Sequence, residues 1–267
     1  MKLIMLGTGN AQAIKCYNTC FILEDEGKYF LVDAGGGNTI LSRLEEAGVD
    51  IHDIHEMFVT HKHIDHLLGV IWILRIVGQE MNKGKYEGDF TLYAHSEVIG
   101  LLEELSQKLI ARKQAQFIGN RIRLVTVEDG DSYEVNGRKV SFFDIHSTKA
   151  RQFGFSMEMD EGRKLTCCGD EPFEEHARSY AEKSTWLLHE AFCLYADRDV
   201  FKPYEKAHST VKEAAERAEE LGVGHLVLYH TEDKKLDQRK KLYTAEAREY
   251  YHGNIFVPDD LEVIELK

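Results

Sequence analysis

Three imidazoles and one carboxylate occupy six consecutive positions in the run His61-Lys62-His63-Ile64-Asp65-His66. Imidazole nitrogens and carboxylate oxygens are the usual ligands of zinc and similar divalent ions. In an extended chain, His61 and His63 point the same way. Asp65 and His66 then turn toward a second point, so one short stretch can seed two neighbouring metal sites. Two adjacent ions can activate a water and clamp both oxygens of a displacement at phosphorus or carbon. With 13 His in 267 residues, a lone H-x-H carries little weight. The full H-x-H-x-D-H is a far rarer pattern. Met57, Phe58 and Val59 precede it and read as the end of a strand that delivers the run.

This run resembles the signature of the metallo-β-lactamase superfamily of dinuclear hydrolases. In that family the remaining ligands follow strands far downstream. Apolar stretches at 140–145, 165–168 and 226–229 lead into His146, Gly169-Asp170 and His230, in the family order. The resemblance therefore covers nearly the whole chain. It is specific for fold and metal centre and much less so for substrate. It implies one ion on His61, His63 and His146, a second on Asp65, His66 and His230, and Asp170 as the bridge. Asp65 is then also placed to orient the attacking water. Two divalent ions are implied, zinc first, with Mn and Fe accepting the same donors. Asp33, followed by Ala34-Gly35, matches the position that buttresses the metal loop in the family.

Two further segments narrow the resemblance. His189-Glu190-Ala191 and His208-Ser209-Thr210 are similar to motifs of ribonuclease Z, the tRNA 3′-processing endonuclease. By that likeness His208 protonates the leaving oxygen and Glu190 orients its ring. The same His208-Ser209-Thr210 also reads as the cap of a helix beginning near residue 211. His189 reads as structural, since neighbouring strand residues face opposite ways.

The chain departs from the processing enzymes in three respects. Only the 23 residues 147–169 separate His146 from Asp170, leaving no room for the long basic tRNA-clamping arm usual there. After His230 comes Thr231-Glu232-Asp233 in place of Ser-x-Arg. The net charge of −13 disfavours polyanion binding by the chain as a whole. The expectation is a phosphodiesterase with ribonuclease Z-like catalytic residues, acting on a small-molecule phosphodiester or a short nucleic acid, with extended tRNA disfavoured. A lactone or thioester hydrolase on the same metals is the alternative. A redox di-iron protein fits less well, because His63 stands where Glu is usual. A non-catalytic sensor would be expected to have lost ligands, and all seven are present.

These residues need a scaffold of strands and helices. The pattern predicts strands at 2–6, 20–23, 29–32, 90–93, 153–159, 164–168, 186–190 and 225–229, with three or more within 121–146 and a hairpin turn at Asn136-Gly137. Helices are predicted at 38–47, 67–77, 96–112, 210–221 and 234–250. This alternation favours an α/β fold, two sheets flanked by helices in an αββα four-layer sandwich, as the resemblance also implies. A single domain over 1–267 is expected.

Composition is that of an ordinary soluble globular protein, 43% hydrophobic and 30% charged. Five unpatterned cysteines suggest neither a disulfide framework nor a CxxC metal site, and a reduced cytoplasmic location is expected. No membrane partner is expected, and a homodimer is in keeping with the family. Two basic clusters, 234–241 and 112–123, read chiefly as solvated faces. His52, His55, His95, His176 and His252 read as surface or packing residues.

Overall fold

The computed structural model describes residues Met1–Lys267. The chain forms two compact units, one of Met1–Gly7, Tyr17–Glu128 and Asp260–Lys267, the other of Thr8–Cys16 and Asp129–Asp259.

The first unit holds β1 (Lys2–Gly7), β2 (Cys20–Asp25), β3 (Lys28–Val32), β4 (Ile54–Phe58), β5 (Phe90–Ala94) and β6 (Ile122–Thr126), hydrogen-bonded in that order. The C-terminal strand Val263–Glu265 pairs on the outer edge of β1. Pairing is antiparallel as far as β3 and parallel from β3 to β6. Helices α1 (Thr39–Glu46), α2 (Ile64–Asn82) and α3 (Ser96–Leu109) make the crossovers that parallel strands require. Leu31, Val32, Met57, Phe58 and Leu92 are fully buried in this unit. Each contributes roughly 1.5–3 kcal/mol of transfer free energy.

Helix α2 is longer than its sequence pattern indicates, and the difference bears on the site. His63 is the N-cap and the helix begins at Ile64, so Asp65 and His66 lie in its first turn and not in a loop. A carboxylate at that end faces the positive pole of the helix dipole. Gly69 explains how the helix docks. A Cβ there would lie 1.8 Å from the Ala34 carbonyl oxygen. With glycine, the Gly69 N–H donates to Gly35 O at 2.8 Å, and Ala34 N–H donates to His66 O at 3.1 Å. The helix backbone thus rests on the loop after β3, where Asp33 sits.

The second unit holds β7 (Ser132–Val135), β8 (Arg138–Asp144), β9 (Phe153–Glu158), β10 (Lys164–Cys167), β11 (Trp186–Glu190), β12 (His225–Tyr229) and β13 (Asn254–Phe256), again in spatial sequence. Pairing is antiparallel from β7 to β10 and parallel from β10 to β13. Asn136 and Gly137 have φ of 53° and 86°, the double positive φ of the two-residue hairpin that Asn-Gly signals. Helix α4 (Val211–Glu220) opens with a capping box between Thr210 and Glu213. Helix α5 (Leu236–Ala247) buries Arg239, Tyr243 and Ala247.

The basic run 234–241 is therefore not one solvated face. Arg239 is 1% exposed, and its guanidinium donates to Thr8 Oγ1 (2.9 Å), Thr231 Oγ1 (2.8 Å) and the Pro258 carbonyl (2.7 Å). Its planar fork satisfies several oxygens that would otherwise be buried unpaired. Lys235 pairs with Asp197, and Lys240 with Asp259. In the other basic cluster, Arg121 and Arg123 pair with Asp89. All five cysteines are free. No helix is long and apolar enough to cross a membrane.

Candidate functional site

In each unit the chemically competent residues gather at the carboxyl ends of strands, the end at which open α/β sheets bind ligands. Asp33 follows β3, the histidine run follows β4, Asp170 follows β10, Glu190 ends β11, and His230 follows β12. His146 follows β8, the residue after Ile145. Three of them hold left-handed backbone conformations: Asp33 at φ 55°, His146 at φ 56° and His230 at φ 57°. Non-glycine residues held there cost on the order of 1–3 kcal/mol and cluster at ligand sites. Here the turn swings the side chain out of the pleat alternation just after each strand.

In the first unit, Asp33 organises the histidine run. Its carboxylate accepts the Thr60 N–H (2.8 Å), the Thr60 hydroxyl (2.8 Å) and His66 Nδ1 (2.7 Å). A histidine that gives its Nδ1–H to a carboxylate presents Nε2 as the lone-pair nitrogen, the orientation metal-binding histidines use. His66 Nε2 lies 3.3 Å from Asp65 Oδ2, and both residues are buried. His61 is 0% exposed, with Nδ1 on Thr60 Oγ1 at 2.9 Å and Nε2 2.8 Å from His63 Nδ1. The His61 ring lies 4.4 Å from that of His63 and 4.3 Å from that of His66.

In the second unit, His230 Nε2 lies 3.4 Å from Asp170 Oδ2, and both are buried. Two ligands on a tetrahedral ion with bonds near 2.0–2.1 Å sit about 3.3 Å apart. The His66/Asp65 and His230/Asp170 pairs match that spacing. In each unit, then, a buried imidazole nitrogen and a carboxylate oxygen form a donor pair of the type that fits a divalent cation. His146 is exposed and stacks face to face on His176, with ring centroids 3.5 Å apart. His176 Nε2 is in turn 2.6 Å from the Asp144 carbonyl oxygen. Nothing in the sequence around His176 indicates this partnership.

His208 is held beside the second set. Its Nδ1–H donates to the Asp170 carbonyl at 2.8 Å, and its ring stacks on Phe192 at 4.8 Å with planes 5° apart. Nε2 is thus the nitrogen open for proton transfer. Glu190 Oε2 lies 3.7 Å from Nδ1, beyond hydrogen-bond range, while Oε1 accepts the Ser209 N–H. The ring is therefore aimed by the Asp170 carbonyl and Phe192, with Glu190 as a neighbour of opposite charge type. Burial pushes His208 down to about 3, and burial pushes Glu190 well above the usual carboxylate range. Both directions favour the neutral forms. His189 is buried and donates Nδ1–H to the Glu190 carbonyl at 2.7 Å.

Thr231-Glu232-Asp233 has a structural task in this unit. Asp233 accepts the Ile14 and Lys15 N–H groups at 2.6 and 2.9 Å, and the Thr231 carbonyl accepts Asn10 N–H at 3.0 Å. These bonds anchor the segment just after His230.

The arrangement around Asp33 predicts a sensitive position. Asp33→Ala leaves the Thr60 N–H and His66 Nδ1 without their buried acceptor. Each such loss costs about 1–3 kcal/mol, so destabilisation of roughly 2–4 kcal/mol is expected in denaturant unfolding. Metal affinity should fall about 10–100-fold in competition with a chromogenic chelator. Unchanged affinity would show that Asp33 does not set the His66 ring.

A sequence model of the family Anti-Pycsar protein Apyc1 matches residues 1–250. The ribonuclease Z of Pyrobaculum neutrophilum is 27% identical, over 99% of this chain and 98% of its own length. Among solved structures, the metallo-β-lactamase fold protein YhfI from Bacillus subtilis superposes with a TM-score of 0.79 at 18% identity, covering 98% of each chain. A diphosphatase from the PhnP family superposes with a TM-score of 0.73 at 16% identity, over 98% of this chain and 96% of that one. The chain thus has the metallo-β-lactamase fold, the αββα architecture its motifs imply, and is ribonuclease Z-like in sequence.

Proposed function

The chain belongs to the Anti-Pycsar protein Apyc1 family, and from that premise we propose that it is a metal-dependent phosphodiesterase with ribonuclease Z-like catalytic residues. The observation that carries this reading is the same pairing in both units. A buried histidine nitrogen sits 3.3 or 3.4 Å from a carboxylate oxygen, at the carboxyl end of a strand or the first turn of the helix after it. We assign one ion to His61, His63 and His146, a second to Asp65, His66 and His230, and the bridging position to Asp170. Zinc suits the nitrogen-rich set best, and Mn and Fe accept it too. When bound, two such ions supply an activated water and stabilise charge developing on the phosphoryl oxygens.

The chain's own residues then have distinct tasks. Asp65 orients the attacking water. His208, once protonated at Nε2, gives that proton to the leaving oxygen, with Glu190 3.7 Å from its Nδ1. The ring then returns to its neutral form with Nδ1–H still on the Asp170 carbonyl, so each transfer uses one proton taken up at Nε2 from solvent.

A small phosphodiester or short nucleic acid is the substrate this reading favours. The ribonuclease Z relative is named for RNA cleavage and the PhnP-family neighbour for diphosphate cleavage, so names alone leave large and small substrates open. Three features support the smaller one. The segment between His146 and Asp170 is taken up by β9 and β10. The basic run at 234–241 is partly buried and ion-paired. The net charge is −13. Binding tRNA means neutralising many phosphates with clustered Lys and Arg.

The deciding experiment offers bis-p-nitrophenyl phosphate, a 3′-extended tRNA, a lactone and a thioester to the metal-loaded protein at low salt. Hydrolysis of the diester with little trimming of the tRNA is expected. Efficient site-specific trimming would overturn the substrate class. Faster lactone or thioester cleavage would overturn the phosphodiesterase reading.

A further inference from the structure

Glu171 follows Asp170 in the second unit, is buried, and is neither a proposed ligand nor a proposed proton carrier. Its carboxylate accepts the Ser147 hydroxyl at 2.7 Å and the Thr148 N–H at 3.2 Å. The Lys149 ammonium stands 4.0 Å from the oxygen that takes the Ser147 hydroxyl. A carboxylate out of water needs donors and a cation to compensate its charge, and all of these come from the residues directly after His146. Ser147 Oγ in turn accepts the Lys149 and Ala150 N–H groups, each at 3.2 Å. One buried side chain thus fastens four consecutive residues of the connection between β8 and β9.

The sheet explains why such a tie is needed. His146 follows β8 and Asp170 follows β10, and β9 lies between those strands. Neighbouring strands are about 4.7–4.9 Å apart, so the two strand ends start roughly 9–10 Å from each other. Residues serving one metal centre must be drawn together by the segments beyond the strands. Two contacts dock the β8–β9 connection on the turn of Asp170. At its base, Ile145 N–H donates to the Gln152 carbonyl at 3.0 Å. Both of these residues pack on Gly169, where a Cβ would lie 2.8 Å from Gln152 Nε2 and 3.2 Å from Ile145 Cδ1. At its middle, Glu171 holds Ser147 and Thr148. His146 itself is exposed and left-handed, and a residue keeps that conformation only where its neighbours impose it.

We infer that Glu171 is a positioning residue of the metal centre: it ties the turn that carries Asp170 to the segment that follows His146, and so sets one ligand against the other. It acts through the backbone of residues 147–150 and touches neither ion nor substrate. The inference rests on the assignment of His146 and Asp170 as ligands in the phosphodiesterase reading, although metal binding is measured without turnover.

The test is a double-mutant cycle read as zinc affinity, by competition with a chromogenic chelator. Glu171→Ala should weaken zinc binding about 10–100-fold, the usual loss when a group that orients a ligand is removed. His146→Ala should weaken it as well. In the double variant Glu171→Ala should add less than about threefold, because residues that act through one another are not additive. Glu171→Gln keeps one oxygen acceptor and should recover part of the loss. If Glu171→Ala does not fold, Ser147→Ala carries the same cycle: it deletes one donor of the tie, and its smaller loss should likewise vanish beside His146→Ala. Losses that multiply in the double variant, or native zinc affinity in Glu171→Ala, would overturn the inference, as would an unaltered protein that binds no zinc. Hydrolysis of bis-p-nitrophenyl phosphate is followed on the same preparations. A non-additive cycle without hydrolysis would keep the role of Glu171 and remove the phosphodiesterase reading, and hydrolysis with multiplying losses would do the reverse.

Discussion

Asp170→Ala should lose both metal equivalents and at least about 10³-fold in turnover. Two ions contribute several kcal/mol of charge stabilisation, and each 1.36 kcal/mol is a factor of ten in rate. The fold around this position gives the experiment its clarity. The Tyr229 hydroxyl donates to the Gly169 carbonyl and His208 Nδ1 donates to the Asp170 carbonyl, so the backbone is fastened independently of the carboxylate. Removing the side chain should therefore leave the circular dichroism spectrum and the cooperative unfolding transition in place while metal content, measured by elemental analysis, collapses. A variant that keeps two ions and near-native turnover would remove Asp170 from the bridge.

His208→Ala should behave differently: turnover drops about 10²–10⁴-fold, the usual contribution of a positioned acid, while both metals stay bound. The loss should shrink for diesters with good leaving groups, because a stable phenolate departs without a proton. An equal loss for good and poor leaving groups would contradict the assignment. The pH dependence has a definite sign. Burial pushes His208 below its ordinary value, so the ring carries the proton it donates more readily as pH falls. As pH rises, less of the imidazole carries that proton, and hydrolysis of poor-leaving-group diesters should slow. Glu190→Gln, which removes the carboxyl beside the ring, should lower that rate.

Much of this site was legible in the chain because its determinants are local. The H-x-H-x-D-H run, the strand before it and the Asn136-Gly137 hairpin are each set by a few adjacent residues. The helix after the run was legible in kind but not in extent. Its first turn lies inside the ligand run, and the reason for Gly69 is a contact with Ala34 that periodicity cannot reveal. The strands Asn254–Phe256 and Val263–Glu265 are three residues long, too short for alternation to show, and form through pairing with distant partners. Arg239 looked like part of a charged face because charge is visible in a sequence, whereas the threonine hydroxyls and carbonyl that bury it come from residues 8, 231 and 258. The hydrogen bond that holds His208 is invisible for the same reason. The Asp170 carbonyl that holds it belongs to the backbone and leaves no mark in residue type. The His146–His176 stack is likewise a product of tertiary placement.

The central claim is a pair of metals serving phosphodiester hydrolysis. Its most direct test is to strip the protein with chelator, return zinc or manganese in measured steps, and follow bis-p-nitrophenyl phosphate hydrolysis against bound metal. The account predicts negligible activity in the stripped protein and a rise that saturates at two equivalents per chain. Saturation without activity, or hydrolysis undiminished in the metal-free protein, would contradict it.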